Sequence, residues 1–353
     1  MRRGRATLVS LSAAALFGGA AGFAQSQRAQ VHRTQKSLAV SMAVPLASSV
    51  SSPHLPTTVL VHGLDSSKET FSGVVAELNA AGYPALALDL RGHGESPLGA
   101  EVDFTPAALA DDVLRAIDSL GLRRAVLVGH SMGGRIAMRA AAIDAACADG
   151  KGDTRTPALA AVVIEDMDVR ARFGADSIDD DEVRKGLVAR FAQEPSGRRF
   201  ADWEGARAAL LPFYGDGNGK DSSRVDQWRQ KRVRRLPDGS FWSDINPAAQ
   251  RLARDRVLAS EDGEGAWDEL AARHRAGSPM ARIHLWYADQ PGTVCAMEGG
   301  GGIADMEARL PSCEARLFAG AGHSIHNSAR AEFMAALTGV IDQVALEDCR
   351  GEV

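Results

Sequence analysis

The sequence predicts an α/β protein whose open, mostly parallel sheet is flanked by helices. Four short apolar runs, of the kind buried on both faces of a parallel sheet, occur in the first half of the chain. They are TTVLVH at 57–62, ALALDL at 85–90, AVLVGH at 125–130 and ALAAVVIE at 158–165. Helical patterns separate these runs, and such alternation indicates right-handed βαβ units.

The helices between these strands carry local signals of their own. Ser66–Ala81 precedes the second strand. Thr105–Leu120 has Pro106 near its start and Gly121 just after its end, which is the usual punctuation of a helix. Met132–Cys147 is rich in alanine and has apolar residues at spacings of three and four, so it predicts a buried helix.

The alternation stops after Val169 and resumes with strands at 282–287 and 315–318, followed by a closing helix over 328–344. A long irregular insertion between two strands of such a sheet predicts a lid. We therefore divide the chain into a targeting presequence at 1–45, a first core part at 46–169, a lid at 170–278 and a second core part at 279–353. Four tryptophans fall in the insertion, where they either line an acyl pocket or form a small core of the lid: Trp203, Trp228, Trp242 and Trp267.

The first 64 residues contain six basic side chains and no acidic one. Residues 1–5 are positively charged, residues 6–24 are small and apolar, and residues 25–52 are rich in Ser, Arg and Ala. These features are typical of a signal segment followed by a transit peptide. We favour plastid targeting, with mitochondrial targeting, secretion or a membrane anchor as alternatives.

Composition excludes several classes of protein. Of the 353 residues, 45% are hydrophobic, which excludes wholesale disorder, and no long apolar run follows residue 30, which excludes a polytopic membrane protein. The four cysteines form no CxxC pair that would indicate a zinc ribbon. Residues 65–353 carry a net charge of −11, which disfavours general nucleic-acid binding. The basic stretch 224–235 is interpreted as a solvated face of a lid helix, with an anionic substrate or a membrane surface as the alternative.

A candidate nucleophile lies between the third strand and the helix after it. Residues 129–133, Gly-His-Ser-Met-Gly, match G-x-S-x-G, and their strand–turn–helix setting is the one that a nucleophile elbow requires. Gly129 and Gly133 remove side chains that would collide at so sharp a turn, and Ser131 is left at its tip. The sequence therefore predicts Ser131 as the nucleophile.

The nucleophile needs a base and a site for the oxyanion. His323, in Gly-Ala-Gly-His after the last predicted strand, returns to the same sheet edge and is the predicted base. His62-Gly63-Leu64 follows the first strand, where the backbone N–H groups of Leu64 and Met132 would form an oxyanion hole. His326 lies three residues beyond His323, but no third residue is spaced with this pair as a metal ligand would be.

These motifs occur in the order and at the spacings of the α/β-hydrolase superfamily, which the chain resembles over about 57–170 and 280–345. They include His62-Gly63 and the run Asp89-Leu90-Arg91-Gly92-His93-Gly94. The resemblance implies an eight-stranded sheet, a cap after the sixth strand and a Ser–acid–His triad. Dehalogenases and epoxide hydrolases of this fold use an Asp at the elbow, so Ser131 favours acyl transfer instead. The first two strands are hard to see here, although Ser37–Val50 contains a candidate remnant.

The resemblance leaves two positions open for the triad acid. Most members carry it in a turn after the seventh strand, where this chain has Asp289 two residues early and Pro291 in the expected place. Some esterases of the superfamily carry it just after the sixth strand, where Asp166 stands. We favour Asp166, and Asp289 remains the alternative.

The predicted function is hydrolysis of a small or medium carboxylic ester through an acyl-enzyme. The same triad would also serve a thioesterase, an acyltransferase or a lyase, and a catalytically silent ligand-binding protein is a further alternative. We expect no cofactor and no metal. The expected partner is a small-molecule ester or acyl compound, with no nucleic acid and no stable membrane insertion once the presequence is removed.

Overall fold

The computed structural model describes residues 28–29, 42–43, 55–148, 156–172, 198–207, 233–243, 246–294, 296 and 301–350. The described strands are β1 (Arg28–Ala29), β2 (Met42–Ala43), β3 (Thr58–Val61), β4 (Ala85–Leu88), β5 (Ala125–His130), β6 (Leu159–Glu165), β7 (Arg198–Phe200), β8 (Val233–Arg235), β9 (Phe241–Ser243), β10 (Arg282–Ala288) and β11 (Glu314–Phe318). The described helices are α1 (Ser72–Ala80), α2 (Pro106–Ser119), α3 (Met132–Cys147), α4 (Pro247–Leu252), α5 (Asp262–Arg275), α6 (Gly301–Arg309), α7 (Ile325–Ser328) and α8 (Arg330–Arg350).

The main sheet has the order β1-β2-β4-β3-β5-β6-β10-β11. Its six central strands, from β4 to β11, all pair in parallel, whereas the two-residue strands β1 and β2 pair antiparallel at one edge. The predicted parallel sheet is therefore confirmed. The strands β1 and β2 both fall within the predicted presequence at 1–45, and β2 also lies within the candidate remnant at Ser37–Val50. The rest of the predicted presequence lies outside the described residues.

Two apolar layers cover the sheet because its buried strands point successive side chains to opposite faces. Along β5, Val126 and Val128 pack on one face with α1 and α8, while Leu127 packs on the other with α2 and α3. The local signals hold as predicted for α2, since the Thr105 hydroxyl accepts the Ala108 N–H and Pro106 is the first helical residue.

The stretch predicted as a lid has two different parts in the described residues. The strands β7, β9 and β8 form a small antiparallel sheet of their own. In contrast, α5 packs against α3 on the main sheet layer, where Arg139 makes ion pairs with Asp262 and Glu269 at 2.9 and 2.8 Å. Trp267 of α5 is fully buried in the main core, and its indole N–H donates to the Met306 carbonyl at 3.0 Å.

Trp267 thus belongs to the core rather than to an acyl pocket or a separate lid core. Residues 173–197 and 208–232 of the predicted lid, and most of the basic stretch 224–235, lie outside the described residues. The lid boundaries therefore stay a prediction. Among the described helices, none combines the length and the apolar character needed to cross a bilayer.

Candidate active site

Ser131 sits on a sharp turn between β5 and α3. Its backbone has φ 53° and ψ −120°, a left-handed conformation that costs energy for any residue with a side chain. The turn is tight because neighbouring chains approach it closely: a Cβ on Gly129 would lie 2.2 Å from the Gly133 carbonyl oxygen, and a Cβ on Gly133 would lie 2.4 Å from that of Val61. Only glycine fits at these two positions, which is the requirement of the predicted elbow.

The imidazole of His323 joins the serine to a carboxylate. After β11 the chain turns at Gly320, which has φ 74°, and brings His323 back to the carboxyl edge of the sheet. The Nε2 atom of His323 lies 3.0 Å from Ser131 Oγ, and its Nδ1 atom lies 2.6 Å from Asp166 Oδ2. About 39% of the His323 side chain is exposed, so a substrate can reach it.

Asp166 is held rigidly where β6 ends. It is fully buried with φ 46°, and its N–H donates to the Trp286 carbonyl at 2.7 Å. Its carboxylate accepts the Val294 N–H at 3.2 Å and the Ala288 N–H at 3.3 Å in addition to the His323 contact. These backbone donors fix the orientation of the carboxylate against the imidazole of His323.

Asp289, the alternative acid, has a different contact. Its Oδ1 accepts the Gly320 N–H at 2.7 Å, which braces the turn that leads to His323. The structure therefore brings Asp166 against the imidazole and leaves Asp289 to hold the loop.

The predicted oxyanion donors lie on the two segments beside Ser131. Met132 is the first residue of α3, where a backbone N–H has no partner within the helix. Gly63 packs against the elbow so closely that an added Cβ would be 3.0 Å from Ser131 Cβ, and Leu64 follows it. His62 fixes this turn, because its Nδ1–H donates to the Gly63 carbonyl at 2.8 Å and its Nε2 accepts the Leu90 N–H at 3.1 Å.

Two buried ion pairs brace the loop after β4. Asp89 accepts the Lys68 ammonium at 2.6 Å, and Arg91 donates to Asp112 at 2.6 Å. Burial raises the pKa of Asp89 and outweighs the effect of Lys68. Asp89 and Arg91 are thus supports of the loop.

A polar cluster that the sequence did not predict lies behind the triad. His326 Nδ1 is 2.7 Å from Glu165 Oε1, and both side chains are fully buried. Burial acts to raise the pKa of Glu165, but His326 and His130 outweigh it, so the pKa lies below its ordinary value. Burial also lowers the pKa of His130 to about 4, which keeps that ring neutral. A signal in the sequence that could have indicated this cluster is Glu165, a charged residue at the end of an apolar run that predicts a buried strand.

His130, Glu165 and His326 are also the group of described residues that could hold a metal ion, with ligand atoms within 4.8 Å of one another. The Nδ1–H of His326 already donates to Glu165, and the Nε2–H of His130 donates to the His323 carbonyl at 3.0 Å. Glu165 Oε1 is thus satisfied by donors of the chain itself, whereas Glu165 Oε2 and His130 Nδ1 are buried without a hydrogen-bond partner. The two histidines for which the sequence offers no third metal ligand contact different carboxylates, His323 with Asp166 and His326 with Glu165.

Comparison with known proteins places these features in a family. The family described as the alpha/beta hydrolase family matches residues 58–336, which is most of the chain. In a search of solved structures, a crystal structure of E-2-(acetamidomethylene)succinate hydrolase aligns with TM-score 0.57 and 20% identity, covering 90% of this chain and 99% of that one. At that identity the likeness supports the fold alone, and it confirms the predicted fold class.

Curated relatives match over shorter stretches. The sn-1-specific diacylglycerol lipase ABHD11 of Mus musculus is 40% identical over 85 residues, which is 24% of this chain and 27% of that protein. An epoxide hydrolase of Caballeronia sordidicola is 34% identical over 87 residues, which is 24% of this chain and 26% of that protein. The chain therefore spans about a quarter of the length of these relatives.

Proposed function

The chain belongs to the alpha/beta hydrolase family, and from that premise we propose that it is a hydrolase that cleaves carboxylic esters through an acyl-enzyme on Ser131. The observation that carries the proposal is the continuous contact from Ser131 Oγ through the His323 ring to Asp166, at 3.0 and 2.6 Å. This is the geometry of a nucleophile, a base and an orienting acid.

The roles of the three side chains follow from their contacts. The short contact with Asp166 places the proton of His323 on Nδ1, which leaves the Nε2 lone pair to take the hydroxyl proton of Ser131. Ser131 Oγ then attacks the carbonyl carbon, and the oxyanion binds the N–H groups of Leu64 and Met132. His323 returns the proton to the departing alcohol.

Water completes the cycle. It attacks the acyl carbon while His323 takes its proton, and Ser131 leaves with that proton as the free acid is released. No step calls for a cofactor or a metal. The serine at the elbow separates this chemistry from ring opening by an aspartate nucleophile, although an epoxide hydrolase is among the relatives.

The test is hydrolysis of p-nitrophenyl esters from C2 to C16 by the full chain, with Ser131→Ala as the matched control. We expect the wild type to turn over at least one ester and the control to lose at least 10³-fold in kcat, since the nucleophile is gone. The acyl length of the ester with the highest kcat/KM then indicates the length of the acyl pocket. A control as active as the wild type would refute the mechanism.

Labelling with a fluorophosphonate separates the remaining possibilities. If no ester is cleaved but Ser131 is labelled, the triad is active and the substrate is a thioester or another acyl compound. If Ser131 is not labelled, the chain is a silent ligand-binding protein on this fold. We also propose that part of 170–278 forms a lid over the site and that residues 1–45 direct the chain to an organelle, with the plastid favoured.

A further inference from the structure

A second series of hydroxyl, imidazole and carboxylate groups lies beside the proposed triad of Ser131, His323 and Asp166. Thr70 Oγ1 is 3.2 Å from His326 Nε2, and His326 Nδ1 is 2.7 Å from Glu165 Oε1. In the proposed triad the matching distances are 3.0 and 2.6 Å. The two carboxylates are consecutive in sequence and the two histidines are three residues apart, so the two series of hydrogen-bonded groups lie side by side on the same loops.

We propose that Thr70, His326 and Glu165 form a positioning relay that holds Ser131 and His323 in the geometry for proton transfer. The relay touches no reacting atom and acts through the loops that carry the triad. The inference rests on the proposed serine hydrolase function. Its consequence is that breaking the relay slows acylation of Ser131 without weakening the binding of the ester.

Glu165 is the central residue of the relay because it is fastened to each part of the triad. Its carbonyl oxygen accepts the Ser131 N–H at 2.9 Å. Its Oε1 accepts both the ring N–H of His326 and the main-chain N–H of that residue, at 2.7 and 2.9 Å. The next residue in the chain is Asp166. One residue therefore links the elbow and the acid through its main chain, and the short helix α7, which begins two residues after His323, through its side chain.

The imidazole of His326 is fixed on every side. The rings of Phe71 and Phe333 pack against it with centroids at 4.4 and 6.0 Å. Its Nδ1–H donates to Glu165 and its Nε2 is in hydrogen-bond contact with the Thr70 hydroxyl, so both nitrogens have a defined partner. Such a ring cannot turn without breaking a buried hydrogen bond, which costs more than an exposed one.

The ring of His130 lies between His323 of the proposed triad and His326 of the relay and contacts both. Its ring lies 4.8 Å from that of His323 and 5.0 Å from that of His326, and its Nε2–H donates to the His323 carbonyl at 3.0 Å. A shift of the relay ring would therefore pass to the loop of His323 through one intervening ring. Displacement of a reacting group by about 1 Å can cost about 100-fold in rate.

A buried ion pair is weak evidence for stability, since apolar residues of similar volume often serve as well. That fact supplies the decisive variant, Glu165→Met combined with His326→Phe, which removes the carboxylate and the imidazole together and leaves the main-chain N–H of residue 326 without its acceptor. Thermal unfolding of this variant checks that the fold is kept. We expect its KM for p-nitrophenyl acetate to stay within about twofold of the wild type and its kcat to fall about 100-fold. The rate of fluorophosphonate labelling should fall in parallel. An unchanged kcat and labelling rate would overturn the proposal.

Thr70→Val provides a milder test that does not disturb the buried charge. Thr70 is only partly buried, and valine has the same shape without the hydroxyl. We expect kcat to fall about fivefold with KM unchanged and Thr70→Ser to restore the wild-type rate. Thr338→Val is the matched control, because the Thr338 hydroxyl bonds only within α8, to the Met334 carbonyl at 3.0 Å. If Thr70→Val equals the wild type, or Thr70→Ser fails to restore the rate, the relay has no positioning role.

Two further measurements test the relay independently of the proposed serine hydrolase function. Proton NMR of the wild type should show two low-field imidazole N–H signals, one for each histidine–carboxylate contact, and Thr70→Val should shift both. A shift of the His326 signal alone would refute coupling, even if the protein cleaves no ester at all. In Ser131→Ala, fluorophosphonate labelling of Thr70 would show a second nucleophile and would likewise overturn the positioning role, whereas an unlabelled protein supports it.

Discussion

Replacement of Asp166 by asparagine should disable the base, His323, without disrupting the fold. In the wild type, the carboxylate accepts the ring N–H of His323 at 2.6 Å and the backbone N–H groups of Val294 and Ala288. Asparagine keeps one oxygen, which the two backbone donors will hold. Its amide group then faces His323 Nδ1 and donates to it.

The magnitude follows from the tautomer. A ring that accepts a hydrogen bond at Nδ1 carries its proton on Nε2, which lies 3.0 Å from Ser131 Oγ. That nitrogen can no longer take the hydroxyl proton, so the serine attacks without a base. The expected loss is about 10⁴-fold in kcat, equivalent to about 5.5 kcal/mol of activation free energy.

The assay is steady-state cleavage of the best p-nitrophenyl ester by the wild type, Asp166→Asn and Asp289→Asn. Asp289→Asn is the matched control because it makes the same chemical change at the other candidate acid, whose carboxylate holds the Gly320 N–H at 2.7 Å. An asparagine oxygen can accept that bond as well, so kcat should change by less than about threefold. Thermal unfolding of each variant checks the fold.

A folded Asp166→Asn protein that keeps more than about a tenth of the wild-type kcat would contradict the role of Asp166 as the orienting acid. If Asp289→Asn were the variant that lost activity, the acid would be the one after β10. Loss of activity in both variants with normal unfolding would mean that the geometry of the loop matters more than the charge.

Two further predictions concern stability. Gly129→Ala should lower the free energy of unfolding by about 3 kcal/mol, because its Cβ would lie 2.2 Å from a backbone oxygen. Gly339→Ala in α8, where the added Cβ meets open space, should raise the free energy of unfolding by about 1 kcal/mol. Urea unfolding measures both changes, and a Gly129→Ala protein as stable as the wild type would contradict the tight turn. Because burial holds the pKa of His130 at about 4, below its ordinary 6.5, the unfolded chain binds an extra proton between these values and the free energy of unfolding falls as the pH falls. Between pH 6.5 and about pH 5 this loss is about 2 kcal/mol, and His130→Gln should lack it; an equal pH dependence in both proteins would show that the ring is not buried in its neutral form.

Local patterns in the sequence were enough to predict the elements of the core. Each central strand is a continuous apolar run because both its faces are covered, and α2 is bounded by Pro106 at its start and Gly121 after its end. Ser131 was predicted for the same reason, since the glycines that a sharp turn needs lie within two residues of it. His323 followed from the rule that loops after parallel strands meet at one edge of the sheet.

Local sequence patterns could not predict the contacts between residues that are far apart in the chain. Strand periodicity and turn chemistry are properties of neighbouring residues, so the sequence alone predicted the parallel sheet, the candidate nucleophile and the candidate base. The folded structure was needed to bring Asp166 rather than Asp289 against His323, since the register of β6 between β5 and β10 sets which carboxylate reaches the ring. It alone joined Thr70 to His326, because a hydrogen bond across 256 residues has no periodicity to reveal it.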